Sequence, residues 1–225
     1  MTSASEISAA PALPEGVGLM IAFLGTDGSG KSTIIEALPG ALGLQTSPER
    51  IVYYHSRPYV LQPSKATKGL DLKAACPNPH AKPPYGVLKS LFKLLFCVAD
   101  YRLGYMWKVR RQLAEGKLVI FDRYYYDFYL DKIRYCMGIG DTWFRLTEWL
   151  IPKPDITFVL TGEAEPIWKR KQEMPLAEVQ RQIDTLEKHK SHFAHPATID
   201  VVRPISEVVS SVVAVIQDAV QRKSH

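Results

Sequence analysis

Cysteines are scarce in this 225-residue sequence, and none has the spacing of a metal or redox motif. The three cysteines, Cys76, Cys97 and Cys136, lie far apart, and no CxxC pair occurs. Disulfide frameworks and zinc sites need cysteines in paired, repeated spacings. We therefore expect neither, and we predict a protein of a reducing, cytoplasmic compartment.

Long apolar segments are also missing. The N-terminal stretch MTSASEISAAPALPEG has no basic leader and no apolar core, so we expect no signal peptide and interpret residues 1–17 as a flexible tail. The most apolar stretch, VLKSLFKLLFCVADY, is interrupted by Lys89, Lys93 and Asp100, and it is too short to cross a bilayer. We expect no membrane partner.

A strong excess of one charge is absent as well. The formal net charge is +5, which suits an acidic ligand such as a nucleotide but is less one-sided than in a typical nucleic-acid-binding protein. We expect no nucleic-acid partner. Hydrophobic residues make up 46% of the chain, which is enough for a core, and the length suits one domain over residues 18–225.

What the sequence does contain is a regular alternation of strand and helix patterns. It predicts strands over 19–24, 50–56, 117–124, 154–161 and 197–202, and helices over 31–42, 87–115 (with a break near Gly104), 126–136, 141–151, 163–172, 176–193 and 204–222. This order predicts a three-layer α/β fold, in which a five-stranded parallel sheet carries helices on both faces.

Two segments interrupt this pattern in ways typical of functional loops. Residues 57–86 hold six prolines and several lysines without a period, and we interpret them as a long loop on the acceptor side of a site. Residues 163–193 are charged and helical after the fourth strand, and we interpret them as a small helical lid.

The strongest motif is GTDGSGKS at 25–32, which fits G-x-x-x-x-G-K-S between a strand and a helix. Glycines let successive N–H groups point inward, and the start of the helix adds positive charge, so the turn predicts a triphosphate site. Lys31 should reach the β- and γ-phosphates, and Ser32 should ligate Mg²⁺. The predicted ATP-binding residues are Gly25, Thr26, Asp27, Gly28, Ser29, Gly30, Lys31, Ser32 and Thr33.

Polar residues follow several of the other predicted strands. His55–Arg57, Asp122–Arg123 and Thr161 should meet the phosphate loop, because ligands bind beyond the carboxyl ends of parallel strands. The motif itself leaves three classes open: a phosphotransferase, a GTPase-like switch and a motor ATPase. The sequence lacks an N-K-x-D element after a late strand, and Arg123 follows Asp122 where a motor often has a second acid, so a phosphotransferase is favoured.

The segments FLGTDGSGKST, VIFDRYYYD, PKPDITFVL, AEPIWKRKQ and ATIDVVRPISEVVSSV resemble, in this order, the thymidylate kinase-like group of P-loop nucleoside monophosphate kinases. The resemblance runs over residues 19–222. It implies a P-loop NTPase fold, ATP and Mg²⁺ as cofactors, and a small-molecule phosphate acceptor. It also implies a homodimer formed through a helix comparable to 87–99, which we hold as a hypothesis.

The resemblance implies a role for each matching residue. Asp27 would meet an acceptor hydroxyl, Asp122 would act near magnesium, and Arg123 would bind the acceptor or the transferred phosphate. Arg57 and Arg102 would lie near the acceptor, and Arg170 would close from the lid, with Lys169 or Lys171 nearby. Independently of the resemblance, Tyr124 and its two neighbours could stack on an acceptor ring or pack half-buried in the protein. The implied catalytic residues are Lys31, Asp122, Arg123 and Arg170.

The acceptor half departs from the family pattern, which leaves the acceptor open. HSRPYVLQP lacks the family's Glu-Pro-Gly, and YYDFYLDKIRY replaces the segment that frames thymidine. A nucleoside monophosphate is the first expectation. A sugar or glycan hydroxyl is the alternative, for which a carboxylate must take the proton, with Asp127 and Asp131 as additional candidates beside Asp27 and Asp122. A non-catalytic nucleotide-binding regulator is the third.

Overall fold

The computed structural model describes residue 14, residues 16–61 and residues 83–224. Most of the predicted tail 1–17 and the middle of the predicted loop 57–86 lie outside these residues, as does Cys76. Within the described ranges, no helix combines the length and the apolarity needed to cross a bilayer.

The five predicted strands form one parallel sheet, which confirms the predicted fold class. In spatial order they are β2, β3, β1, β4 and β5, so the phosphate-loop strand lies at the centre. All six residues of β1 are buried, as expected for a strand covered by helices on both faces. The strands are β1 (Leu19–Leu24), β2 (Ile51–His55), β3 (Leu118–Asp122), β4 (Ile156–Thr161) and β5 (Pro196–Asp200).

The helices follow the predicted order closely. They are α1 (Lys31–Ala41), α2 (Val87–Gly104), α3 (Arg110–Ala114), α4 (Asp127–Leu130), α5 (Asp141–Glu148), α6 (Ala164–Arg170), α7 (Leu176–His189) and α8 (Ile205–Ser224). A π-helical stretch, Tyr105–Val109, joins α2 to α3, and the backbone at both junctions stays right-handed helical, so the helix changes type after Gly104 but does not break there as predicted. A Cβ at Gly104 would collide with Pro58, so this helix and the segment after β2 approach each other more closely than a side chain allows.

The predicted helix 126–136 is wrong beyond its first turn, because only Asp127–Leu130 is helical. The Asp131 carboxylate accepts hydrogen bonds from the backbone N–H and the side chain of Arg134, and Cys136 has a positive φ of 50°. Aspartate competes in this way with helix hydrogen bonds, and a left-handed residue ends a helix.

Two hydrophobic clusters cover the two faces of the sheet. Alternate residues of β1 point to opposite faces: Leu19, Ile21 and Phe23 face α1 and α8, whereas Met20, Ala22 and Leu24 face α2, α4 and α5. Packing on both faces fixes the carboxyl ends of the strands at one edge of the sheet, where the predicted site lies.

Candidate active site

The ends of three neighbouring strands bring the predicted donor-side residues together. In the sheet register, Asp122 of β3 is opposite Phe23 of β1 on one side and His55 of β2 on the other. The phosphate loop begins two residues after Phe23. The prediction that these strand ends share one edge is therefore met in the tertiary structure.

The loop at residues 25–32 has the backbone that its glycines permit. Gly28 and Gly30 have φ values of 87° and 80°, in the left-handed region that favours glycine. The Lys31 ammonium turns back into the loop and donates hydrogen bonds to the carbonyls of Gly25, at 2.6 Å, and Thr26, at 2.9 Å. The positive charge of Lys31 is thus held inside the turn that the motif predicts for phosphates.

The start of the predicted lid lies directly against this loop. A Cβ added at Gly28 would lie 2.6 Å from the carbonyl oxygen of Ile167 in α6 and 3.4 Å from the Cβ of Lys171. Lys171 is also among the positive charges that act on Asp27. Arg170, the predicted lid arginine, is exposed at the end of α6, whereas Lys171 packs against the loop.

Asp27 pairs with two arginines, both of which belong to the segment that follows β3. Its carboxylate is 2.6 Å from Arg123 and also pairs with Arg134. Arg123 is 6% exposed and makes a second ion pair, at 3.0 Å, with the buried Asp127. Arg134 makes its second pair with Asp131, at 2.9 Å. These ion pairs therefore connect the phosphate loop to the segment that follows β3.

Asp122 has one oxygen engaged and one free. Its Oδ2 accepts a hydrogen bond from the Tyr53 hydroxyl at 2.9 Å and lies 3.4 Å from the His55 ring. Its Oδ1 is buried and has no hydrogen-bond partner among the described residues. Buried carboxylate oxygens are rarely left without a partner, so Oδ1 is suited to a group that arrives with the ligand.

Arg57 is held by α2 at the end of β2. The Asp100 carboxylate lies 3.6 Å from its guanidinium and accepts hydrogen bonds from the N–H groups of Tyr59 and Leu61, at 3.1 and 2.8 Å. The Arg57 guanidinium packs over the ring of Tyr59, 4.8 Å from its centroid. The Arg57 side chain is 13% exposed and its Nη1 has no hydrogen-bond partner in the described part of the chain.

Burial and neighbouring charges shift the pKa values of the site in physically distinct ways. Burial, with the positive charge of Arg123, lowers the pKa of Lys31 to about 8. Burial acts to raise the pKa of Asp27, but Arg123, Lys31 and Arg134 outweigh it and hold that pKa well below its usual range. Burial also acts to raise the pKa of Asp122, but the hydrogen bond with His55 and the positive charge of Lys31 outweigh it and lower that pKa to about 2.

Tyr124 and Arg102, which were both predicted to lie near the acceptor, differ in burial. Tyr124 is 1% exposed, packs edge-on against Phe121 and Tyr101, and donates its hydroxyl to the carbonyl of Pro152. It packs in the core, which is the alternative that the sequence left open for this tyrosine. Arg102 is exposed on α2, on a different face from Asp100.

Arg134, Asp100 and Tyr135 were missed by sequence reasoning. Tyr135 donates its hydroxyl to Asp127 at 2.8 Å and so completes the buried network around Arg123. The available signal was weak: Arg134 and Tyr135 lie in a segment predicted to be helical, and Asp100 lies in an apolar helix. The only sequence signal for Asp100 was that it is a charged residue within an apolar stretch.

Comparison with known proteins identifies relatives of this chain. No family model matches it. The chain is 30% identical over 189 residues to a protein of Pelodictyon phaeoclathratiforme named thymidylate kinase, and the match covers 78% of this chain and 77% of the relative. The crystal structure of thymidylate kinase from Ehrlichia chaffeensis superposes with a TM-score of 0.53 at 21% identity, over 89% of this chain and 99% of that one, which supports the fold.

The sequence relative and the fold agree with the geometry of the site. A phosphate loop with an acidic Asp27, an Asp122–Arg123 pair at the end of the neighbouring strand and a helical segment over the loop occur together in one parallel sheet. The chain belongs to the thymidylate kinase-like family of P-loop kinases.

Proposed function

We propose that this protein transfers the γ-phosphoryl group of ATP to a nucleoside monophosphate resembling dTMP. The observation that carries the proposal is the position of Arg123, which is buried, has a φ of 70° and faces Asp27 of the phosphate loop. A guanidinium held between donor and acceptor sides can neutralise charge on a phosphoryl group in transfer. The relative named thymidylate kinase supports this class of acceptor.

The donor half binds the triphosphate with backbone amides and one ammonium. Lys31 would exchange the carbonyls of Gly25 and Thr26 for phosphate oxygens, because an ionised acceptor makes a stronger hydrogen bond. The N–H groups of Gly30 and of the first turn of α1 can donate to phosphate oxygens, because the helix dipole favours an anion there. Binding and orientation supply most of what phosphoryl transfer requires.

Magnesium fits the residues at this edge. Ser32 is exposed at the start of α1 and can offer its hydroxyl, and the free Oδ1 of Asp122 can accept from a metal-bound water. The described residues contain no group of three metal-ligating side chains, which suits a Mg²⁺ ion bound mainly through substrate phosphates and water. When bound, the ion would neutralise charge on the β- and γ-phosphates.

A second acceptor class, a sugar or glycan hydroxyl, is favoured by one feature. The network around Arg123 contains two positive and three negative side chains: Arg123, Arg134, Asp27, Asp127 and Asp131. A dianionic acceptor such as a nucleoside monophosphate would bind more favourably where positive side chains outnumber negative ones. Asp127 also has a buried Oδ1 with no partner among the described residues, and a carboxylate is what a hydroxyl acceptor needs to lose its proton.

One panel of reactions separates these acceptors. ATP consumption would be measured with each nucleoside monophosphate, with simple sugars and with no acceptor, and Lys31→Ala would serve as the variant that lacks the phosphate-binding charge. We expect turnover with dTMP or a close relative and none with Lys31→Ala. Turnover with sugars alone would replace the proposal by the second class. Tight ATP binding without turnover would indicate the non-catalytic regulator.

A further inference from the structure

A second candidate binding site lies outside the phosphate-transfer site. It is a cavity of about 230 Å³ between the segment that follows α4 and the helix α7. None of its lining residues belongs to the phosphate loop or to the Asp122–Arg123 pair. Its walls include Tyr129, Lys132, Asp141, Arg181, Lys188 and His189. It is slightly smaller than typical drug-sized ligand pockets of roughly 300–1,000 Å³, so it suits a small molecule.

The charges of the cavity favour an anion. Lys132 is paired with Asp141 at 2.5 Å, and Arg181 is paired with Glu178 at 2.6 Å. Lys188 is exposed, and it has no carboxylate within ion-pair distance in the part of the chain that the structure describes. Three basic side chains against one acidic side chain line the cavity, and the charge of Lys188 is the one left uncompensated.

His189 gives an independent indication of a ligand. Its side chain is 9% exposed and its ring stacks on Tyr129 with centroids 4.7 Å apart. Its Nδ1 is buried and has no partner among the described residues, whereas its Nε2 lies 3.7 Å from Asp141. Burial lowers the pKa of His189, so the ring is neutral at pH 7. A buried ring nitrogen without a partner is suited to a hydrogen bond with a ligand.

We propose that this cavity binds a small phosphate monoester that carries a hydroxyl group, with Lys188 on the phosphate and His189 on the polar remainder. Lys188 supplies the charge that a phosphate needs, and His189 supplies a neutral hydrogen-bonding group against an aromatic wall. Both residues lie on α7, and Lys132 from the segment after α4 also lines the cavity.

The cavity is connected to the phosphate loop by four residues. Within 131–134, Asp131 and Arg134 pair with each other and Arg134 reaches Asp27, while Lys132 and Ile133 line the cavity. Arg181, also at the cavity, donates a hydrogen bond to the carbonyl of Leu130 at 2.9 Å. A ligand that pulls on Lys132 or Arg181 would therefore act on the segment that holds Asp27.

Histidine resonances can locate the ligand directly. The full-length protein, with a non-hydrolysable ATP analogue and Mg²⁺ added, would be titrated with glycerol 3-phosphate and followed by ¹⁵N NMR of the imidazole nitrogens. We expect a saturable shift of His189, assigned with a His189→Gln variant. His55, which lies beside Asp122, reports on the phosphate loop, so this test remains readable if the proposed kinase function fails.

A matched pair of charge reversals completes the test. Lys188→Glu should weaken glycerol 3-phosphate binding by about tenfold or more, the usual effect of losing one charge-assisted hydrogen bond. Lys153→Glu makes the same charge change at an exposed residue outside the cavity and should leave binding unchanged. An equal loss in both variants, a shift of His55 without His189, or no saturable response would overturn the proposal. Glycerol in place of its phosphate should not bind.

Discussion

Arg123 at the end of β3 lies 2.6 Å from Asp27 in the phosphate loop, although 96 residues separate them in the chain. The pair is largely buried, with side-chain exposures of 7% and 12%. Buried ion pairs fix geometry more reliably than they add stability. We infer that this pair fixes the position of Arg123 relative to the phosphate loop.

Replacing Asp27 by Asn should therefore affect catalysis and stability together. Arg123 and Arg134 each lose one carboxylate partner but keep another, so we expect a decrease of about 1–3 kcal/mol in the free energy of unfolding. We also expect kcat/KM for the acceptor to fall by at least about tenfold. Urea unfolding and steady-state kinetics would measure the two effects. A variant with normal kinetics would show that the pair does not position the acceptor side.

The low pKa of Lys31 predicts opposite trends for activity and stability in alkaline solution. Above about pH 8 the free enzyme loses the Lys31 charge, so kcat/KM for ATP should fall. The unfolded chain keeps that proton until its ordinary pKa of 10.5, so the contribution of Lys31 to stability rises between about pH 8 and 10.5.

The control for this prediction is kcat at saturating ATP. Bound phosphates favour the charged ammonium, so the alkaline decline of kcat should begin at a higher pH than that of kcat/KM. Identical pH profiles for the two parameters would mean that a group other than Lys31 controls the decline.

Gly28 and Gly30 provide a matched test of the contact between the loop and α6. Both have positive φ, so alanine at either position costs roughly 1–2 kcal/mol of backbone strain. An alanine Cβ at Gly28 would also meet the Ile167 carbonyl at 2.6 Å, whereas at Gly30 it would meet nothing within 4 Å. Calorimetric titration with an ATP analogue should show a larger loss of affinity for Gly28→Ala. Equal losses would indicate that α6 moves away without cost.

Asp100 and Arg102, two residues apart on α2, should respond very differently to substitution. Asp100 is fully buried and holds Arg57 and the backbone of Tyr59 and Leu61, so Asp100→Asn should raise KM for the acceptor severalfold with little change in KM for ATP. Arg102→Ala should have little effect, because this side chain is exposed. If Arg102→Ala instead raised KM for the acceptor, the acceptor-side role that the family resemblance implies for Arg102 would be supported, and our expectation of little effect would be wrong.

The sequence predicted the elements that depend on local chemistry. The phosphate loop was recognisable because its glycines, its lysine and its flanking strand and helix all lie within about twenty residues. The sheet followed from the strand–helix alternation, and the parallel arrangement placed Asp122 and His55 at the same edge. Where a side-chain interaction ended an element early, as Asp131 and Arg134 do after α4, the periodic pattern of 126–136 was misleading.

By itself, then, the sequence determined the fold class, the glycine-rich phosphate-loop motif and the strand-end residues, because backbone geometry and hydrophobic periodicity are local properties. Only the tertiary structure decided the partners of the charged residues: Asp27 with Arg123 and Arg134, and Arg57 with Asp100. It also decided that Tyr124 belongs to the core and that Lys171 packs against the phosphate loop. Such pairings depend on how helices pack across the sheet. The local sequence around each residue does not indicate which distant residue this packing will bring next to it.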